Sequence, residues 1–299
     1  IDRLLQRTQM TQSNPKLAAV YMIGAIVSFT LMAIAGRELG GSLDTFEIMM
    51  YRSIIGILIM VACITYLGRW GDIHRRRMPL HLFRNAAHFT GQNLWFYAVT
   101  LIPLAQLFAL EFTVPIWVAL AAPLFLGESF TRTKSLAIGL GFIGILIVTR
   151  PGSMGLSIGI IAAATAAIAF AITAITTKKL TQSENILTIL FWLTILQAVF
   201  GALCAGFDGV ITWPSGINLF WVTLVGCAGL LAHFSLTRAL HLAPASVVTP
   251  MDFARLPVVA VVGAMIYAEP LDPVIIFGAV VIFAANYINI RSEMRSTSN

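Results

Sequence analysis

Apolar residues fill this chain in runs of roughly 20, the length that a helix needs to cross a bilayer core. Short polar gaps separate the runs. Read this way, the sequence predicts an all-α membrane protein of ten spanning helices, near 16–36, 45–68, 82–101, 104–126, 133–150, 155–177, 184–206, 217–240, 245–267 and 271–290. The gaps leave no room for a separate soluble domain. The clearest breaks are Arg150-Pro151-Gly152 and Trp213-Pro214-Ser215-Gly216, turn-forming combinations that end a run.

Composition agrees. Of 299 residues, 58% are hydrophobic and 11% charged, with mean hydropathy +0.87. A soluble domain carries about 25% charged residues, so this chain could not cover a water-facing surface of its size. A body solvated by lipid presents apolar side chains outward at no cost. The formal charge is +6, and its placement is informative. With the N-terminus cytoplasmic, fifteen Lys and Arg fall on that side and only Arg37 and Arg150 on the other, while Arg52 and Arg255 lie inside spans. That bias places both termini in the cytoplasm, as an even number of spans requires, and fits a bacterial inner membrane. The cations do not interleave with aromatics as a nucleic-acid face would, so the expected partners are the lipid bilayer and a small-molecule substrate, not nucleic acid. Cys63, Cys204 and Cys227 lie in apolar runs and form no C-x-x-C pair. They are expected as buried packing groups, without a disulfide framework. The polar start, residues 1–14, lacks the apolar core of a signal peptide.

Sliding the sequence against itself by 141 residues gives a gapless match of 98–150 with 239–291. Ala98, Leu101, Pro103, Phe112, Glu128, Phe142 and Arg150 fall on Ala239, Leu242, Pro244, Phe253, Glu269, Phe283 and Arg291, and Glu111 falls on Asp252. The expected organisation is a cytoplasmic tail at 1–15, five-helix repeats at 16–150 and 151–291, and a second tail at 292–299. Because five is odd, the second repeat must enter the membrane from the opposite side. Inverted repeats of this kind build many secondary transporters, with a site near the midplane.

Ala98 to Pro103, Pro115 and Gly127-Glu128, with their counterparts Ala239 to Pro244, Pro257 and Glu269, resemble the drug/metabolite transporter superfamily in its ten-helix EamA-type branch. The likeness covers nearly the whole chain. It implies two inverted five-helix repeats around a central cavity, alternating access and no nucleotide cofactor. It also implies that spans three, four, eight and nine line the cavity. Members include exporters of amino acids, among them YddG-type exporters of aromatic amino acids, and some importers. Pro257 sits one residue out of register with Pro115, so a kink is expected at different depths in the two halves.

Polar groups inside a span are costly and are functional candidates by default. In the third span His88, Gln92 and Trp95 share one face at i, i+4 and i+7, and Asn93 and Tyr97 form a second pair. They suit either a small-molecule cavity or hydrogen bonding between helices. In the fourth, Glu111 precedes Pro115 by one turn, beside Phe112. It could bind a substrate amine, carry a coupling proton, or pair with Arg52 or Arg255. In the ninth, Asp252 and Arg255 at i, i+3 could form an ion pair. Alternatively Arg255 holds a substrate carboxylate while Glu111 or Asp252 takes its ammonium. The eighth supplies His233. The expected substrate-binding set is therefore His88, Gln92, Trp95, Tyr97, Glu111, Phe112, His233, Asp252 and Arg255. Trp192 and Trp221 read as interfacial anchors. Gly155, Gly159, Ala163, Ala167 and Ala171 form a packing ridge, and Gly139, Gly141 and Gly144 read as packing positions.

No metal spacing, phosphate loop or catalytic motif occurs, so no metal, cofactor or catalytic residue is expected. The leading function is secondary transport of small amphipathic metabolites, as export of neutral or aromatic amino acids by alternating access. The rival within transport is uptake of a nucleoside-like or nucleotide-derived solute. The rival from another class is an intramembrane enzyme, for which His88, Glu111 and His233 would have to meet; turnover of a solute without transport would favour it.

Overall fold

The computed structural model describes residues 14–125, 132–150, 157–180, 183–207, 209–242, 248 and 251–297. Every regular element among them is helical. In chain order these are α1 (Pro15–Leu39), α2 (Thr45–Leu67), a 3-10 turn at Trp70–Asp72, α3 (Met78–Leu101), α4 (Leu104–Glu111), α5 (Val114–Phe125) and α6 (Arg132–Thr149). Then come α7 (Ile158–Leu180), α8 (Ile186–Ala205), α9 (Ile217–Leu242), α10 (Arg255–Tyr267) and α11 (Pro273–Thr297). Six segments are long and apolar enough to cross a membrane, and three shorter apolar helices accompany them. α3 has spanning length, but Arg84, Asn85, His88, Gln92 and Asn93 lower its hydropathy.

Local chemistry sets the ends. Pro15 occupies the first turn of α1, and the Asn14 side chain accepts from the Leu17 N–H. Asp44 and Glu47 form a capping box at α2, which stops at Gly68 in the left-handed region, φ 63°. Asn185 caps α8 by accepting from the Thr188 N–H. α1 runs on to Leu39 because its first breaker is Gly40-Gly41. α3 starts at Met78, earlier than expected, because Pro79 is tolerated in a first turn. α11 continues to Thr297 through the segment expected as a tail, where no proline or glycine stops it. The N-terminal tail up to residue 13, Gly127-Glu128, Pro151-Gly152, Gly155 and Pro244 lie outside the described residues.

The same elements recur 141 residues later. Leu39 and Leu180, Thr45 and Ile186, Leu101 and Leu242, Val114 and Arg255, and Arg132 and Pro273 are matched helix ends at that displacement. So are the caps Asp44 and Asn185. The packing repeats as well: α1 lies along α9 as α3 lies along α7, while α2 packs on α8 and α6 on α11. Near the C-terminal end of α1, Arg37 reaches the carbonyls of Val99 and Ile102 at the end of α3. Gly159, near the start of α7, lies against Leu101 and Ile102. Thus α1 ends where its counterpart begins.

The α6–α11 crossing depends on missing side chains. A Cβ on Gly144 would meet the Ile282 side chain at 2.6 Å and the Ile282 N and Gly278 O at 3.1 Å. Small residues allow backbones this close, which maximises dispersion contact where lipid offers no hydrophobic drive. Gly141 is packed on Ile116, whereas Gly139 faces open space and is not the packing position expected. Cys63 and Cys227 are exposed rather than buried. On a surface that lipid covers, an apolar thiol has no reason to face inward.

Candidate functional site

Two helix breaks meet at the centre of the bundle. α4 ends at Glu111 and α5 begins at Val114. Pro115 has no N–H to offer the Glu111 carbonyl, so a continuous helix could not close its i to i−4 bond here. The next carbonyl, of Phe112, accepts instead from the Asn286 side-chain amide of α11 at 2.7 Å. At the second break, before α10, the Leu256 N–H donates to the Phe253 carbonyl at 3.1 Å. The two breaks lie at the same register, contrary to the expectation of different depths. Pro115 and Pro257 both fall within the first turn of the following helix, where an N–H has no intrahelical acceptor in any case. A one-residue shift there costs little.

Matched residues converge at these breaks. The rings of Phe112 and Phe253 stand 4.9 Å apart. Glu111 and Asp252 approach one nitrogen of Arg255, at 3.1 and 3.0 Å. The Trp95 indole N–H donates to the other oxygen of Glu111 at 2.7 Å. The guanidinium is walled by Phe29, Phe108 and Phe112 at 4.5, 5.0 and 5.0 Å. Its side chain is 4% exposed. One buried cation between two carboxylates leaves a net negative charge. Among the described residues, Arg255 Nε and Nη1 and Asp252 Oδ1 have no hydrogen-bond partner.

A second group of polar side chains lies beside the first. Arg52 of α2 donates to Gln92 Oε1 of α3, and its Nη2 passes where a Cβ on Gly229 of α9 would stand 3.0 Å away. His88 and His233 face each other at 6.2 Å, backed by Phe170 and Phe29 respectively. Arg84, one turn from His88, donates to Thr177 and Asn85 at 3.0 and 3.2 Å. Among the described residues neither Arg52 nor Arg84 has a carboxylate partner.

The structure therefore brings together His88, Gln92, Trp95, Glu111, Phe112, His233, Asp252 and Arg255. It sets Tyr97 apart: on the helix face opposite His88, Tyr97 is 41% exposed and borders a groove with Gly40, Phe46 and Thr100. The sequence offers Arg52 as a partner for Glu111 or, with Arg255, as a cavity cation for an anionic group, and gives no role to Asn286 or Phe29. Arg52 and Asn286 carried the usual signal, a polar residue within an apolar run; Phe29 carried none. Trp192, expected as a membrane anchor, donates to the His74 carbonyl at 2.8 Å. Trp221 packs against the core.

Ion pairs tie together the end of the bundle that carries Arg37. Arg37 donates to the Val99 and Ile102 carbonyls, both at 2.6 Å, and pairs with Glu269. Glu269 also accepts from the Leu104 N–H at 2.9 Å, and the Tyr267 ring lies 4.8 Å from the guanidinium. Arg150 pairs with Asp272. The Val274 N–H, then Arg150, hold the Asp272 carboxyl below the usual aspartate range.

Residues 16–150 and 157–291 each match the EamA-like transporter family, so the two matches are displaced by the same 141 residues. The chain is 26% identical to an S-adenosylmethionine uptake transporter of Rickettsia felis, over 92% of each chain. It is 32% identical to a riboflavin transporter of Brucella anthropi, over 79% of this chain and 86% of that one. A pseudopaline exporter of Pseudomonas aeruginosa is 25% identical over 90% and 94%. A crystal structure at 17% identity superposes with a TM-score of 0.65, covering 93% of this chain and 98% of its own, which shows a shared fold. These relatives are transporters and not enzymes, and their names do not include amino acid exporters. The protein is a multi-pass integral membrane protein of the bacterial inner membrane, and it belongs to the EamA-like transporter family.

Proposed function

We propose that the protein takes up a zwitterionic, nucleoside-bearing metabolite of the S-adenosylmethionine kind, by alternating access through ten spans arranged as two inverted repeats with both termini cytoplasmic. The observation that carries this is the pair of buried carboxylates, Glu111 and Asp252, sharing one guanidinium at the helix breaks. Their surplus negative charge suits an ammonium or sulfonium group, and Phe29, Phe112 and Phe253 offer faces for a planar base. Riboflavin carries no such charges, and burying four ionised side chains for a neutral solute would waste their desolvation. The charged groups also fit a neutral amino acid. Uptake relatives matching 92% of the chain favour the nucleoside-bearing zwitterion and inward transport.

Purified protein in liposomes preloaded with S-adenosylmethionine should accumulate labelled S-adenosylmethionine by counterflow, and Glu111→Gln should abolish the signal. Counterflow with riboflavin alone, or with none of S-adenosylmethionine, riboflavin and aromatic amino acids, would sink this reading.

A further inference from the structure

The sequence leaves two readings of Arg255, an ion pair with Asp252 or the seat of a substrate carboxylate. The charges in the structure argue against the second. Arg255 already holds two carboxylates on one nitrogen. A third carboxylate there would face two like charges across a few ångströms in a buried site, where repulsion is weakly screened. The opposite holds at Arg52. Its described partners are the Gln92 side-chain oxygen and the Met49 sulfur, both neutral. A buried guanidinium without an anion is costly, and such groups are found paired.

His88 supplies an independent sign of a missing ligand. It is 5% exposed, and neither ring nitrogen has a hydrogen-bond partner among the described residues. An orphaned buried polar group costs about 1–3 kcal/mol and in a native structure calls for an explanation. His88 lies within electrostatic range of Arg52, Arg84 and His233, on the same helix face as Gln92. The described groups around it are thus cationic or neutral donors. Gly229 leaves the space through which Arg52 reaches them.

We propose that Arg52, with His88, forms the subsite for the carboxylate of the transported zwitterion, leaving its cationic group to Glu111 and Asp252. This rests on the zwitterion reading above and adds the orientation of the solute. Arg255 then acts as a positioning residue that holds the two acids, and the site has a cation-seeking end and an anion-seeking end. The Phe29 ring lies 4.5 Å from the Arg255 guanidinium and 5.8 Å from the His233 ring, which itself stands 6.2 Å from His88.

The test compares counterflow of S-adenosylmethionine with its decarboxylated analogue, which keeps the cations and lacks the carboxylate. Wild type should prefer the carboxylate form by about ten- to a hundredfold, the value of a charge-assisted hydrogen-bonded pair. Arg52→Gln should bring that preference close to unity. A ratio measured within one variant is insensitive to how much protein is correctly folded. Should Arg52→Gln not fold, Arg52→Lys, which keeps the charge and loses the fork, should lower the preference at least about threefold. An unchanged preference in the variant that folds overturns the assignment, as does a wild type that carries both solutes equally. Loss of preference in Arg255→Gln with retention in Arg52→Gln would return the carboxylate to Arg255. If wild type moves neither solute, the zwitterion reading itself fails and the subsite falls with it.

Discussion

At the first helix break the residue that opens the next helix is Val114; at the second, in the same register, it is Arg255. Around these positions the halves agree: Phe112 meets Phe253, and Glu111 and Asp252 reach the same nitrogen. Elsewhere in the centre they diverge. Arg52 corresponds to Leu193 and Gln92 to His233, so the polar groups at these positions are unequal. The frame keeps its twofold pattern while the charges do not. A symmetric frame can exchange the roles of its halves, which alternating access requires. An asymmetric charge set gives a bound solute one orientation.

Making the second break resemble the first should have the largest effect. Arg255→Val leaves Glu111 and Asp252 facing each other without a cation, and breaking a buried ion pair costs about 3–5 kcal/mol. Thermal unfolding in detergent should show a large fall in melting temperature, with counterflow lost. Adding Glu111→Gln and Asp252→Asn to Arg255→Val should recover most of the stability and none of the transport. Full activity in Arg255→Val would remove the central pair from the site.

The helix crossing tests the frame apart from the charges. Gly144 corresponds to Ala285, and Gly278 to Ala137, so each half supplies one glycine and one alanine to the α6–α11 contact. Gly144→Val should destabilise by about 1–3 kcal/mol through overpacking against Ile282 and Gly278. Gly139→Val, which meets nothing within 4 Å, should stay within about 0.5 kcal/mol. Equal losses in the two variants would mean that helix propensity, not the crossing, sets the cost.

Much of this frame was legible in the sequence because apolar length and the 141-residue repeat are local properties. The register of the two breaks was not. A proline's cost depends on its place within a helical turn, and the sequence did not show that both fall in a first turn. Most of the central residues were legible as polar interruptions of apolar runs. Their pairing was not: choosing between Arg52 and Arg255 as the partner of Glu111 requires knowing which helices meet. Tyr97 was misplaced because its neighbour Asn93 tied it to a polar face, whereas it lies on the helix face opposite His88.

At the Arg37 end the comparison is between the ion pair with Glu269 intact and the same end with Arg37 removed. The counterpart of Arg37 is Lys178, which retains the charge. Arg37 links α1 to the end of α3 and to Glu269, and its side chain is 14% exposed. Arg37→Ala should release these ties. In a protein lacking Cys63, Cys204 and Cys227, Ala98→Cys is buried one turn below the rim. Its labelling by an impermeant maleimide should rise about tenfold when Arg37 is removed, corresponding to a population shift of ~1.4 kcal/mol. No change in labelling would mean that Tyr267 and the apolar contacts hold this end together unaided.

Arg150–Asp272 should contribute least. The counterpart of Asp272 is Thr131, so the second rim charge is not duplicated in the other half. The pair is 28% exposed on each side, and exposed pairs are worth ~0–1 kcal/mol. Because the Val274 N–H and Arg150 lower the Asp272 carboxyl, the folded state binds its proton less readily than the unfolded state. Its contribution is therefore complete above the ordinary aspartate value of 3.8 and fades as pH falls through the lower folded value. Between about pH 5 and pH 8 the carboxylate stays charged in both states. The melting difference between wild type and Asp272→Asn should accordingly be small and the same at both ends of that range. A difference that shrinks toward pH 5 would mean that Asp272 is not held below its ordinary range.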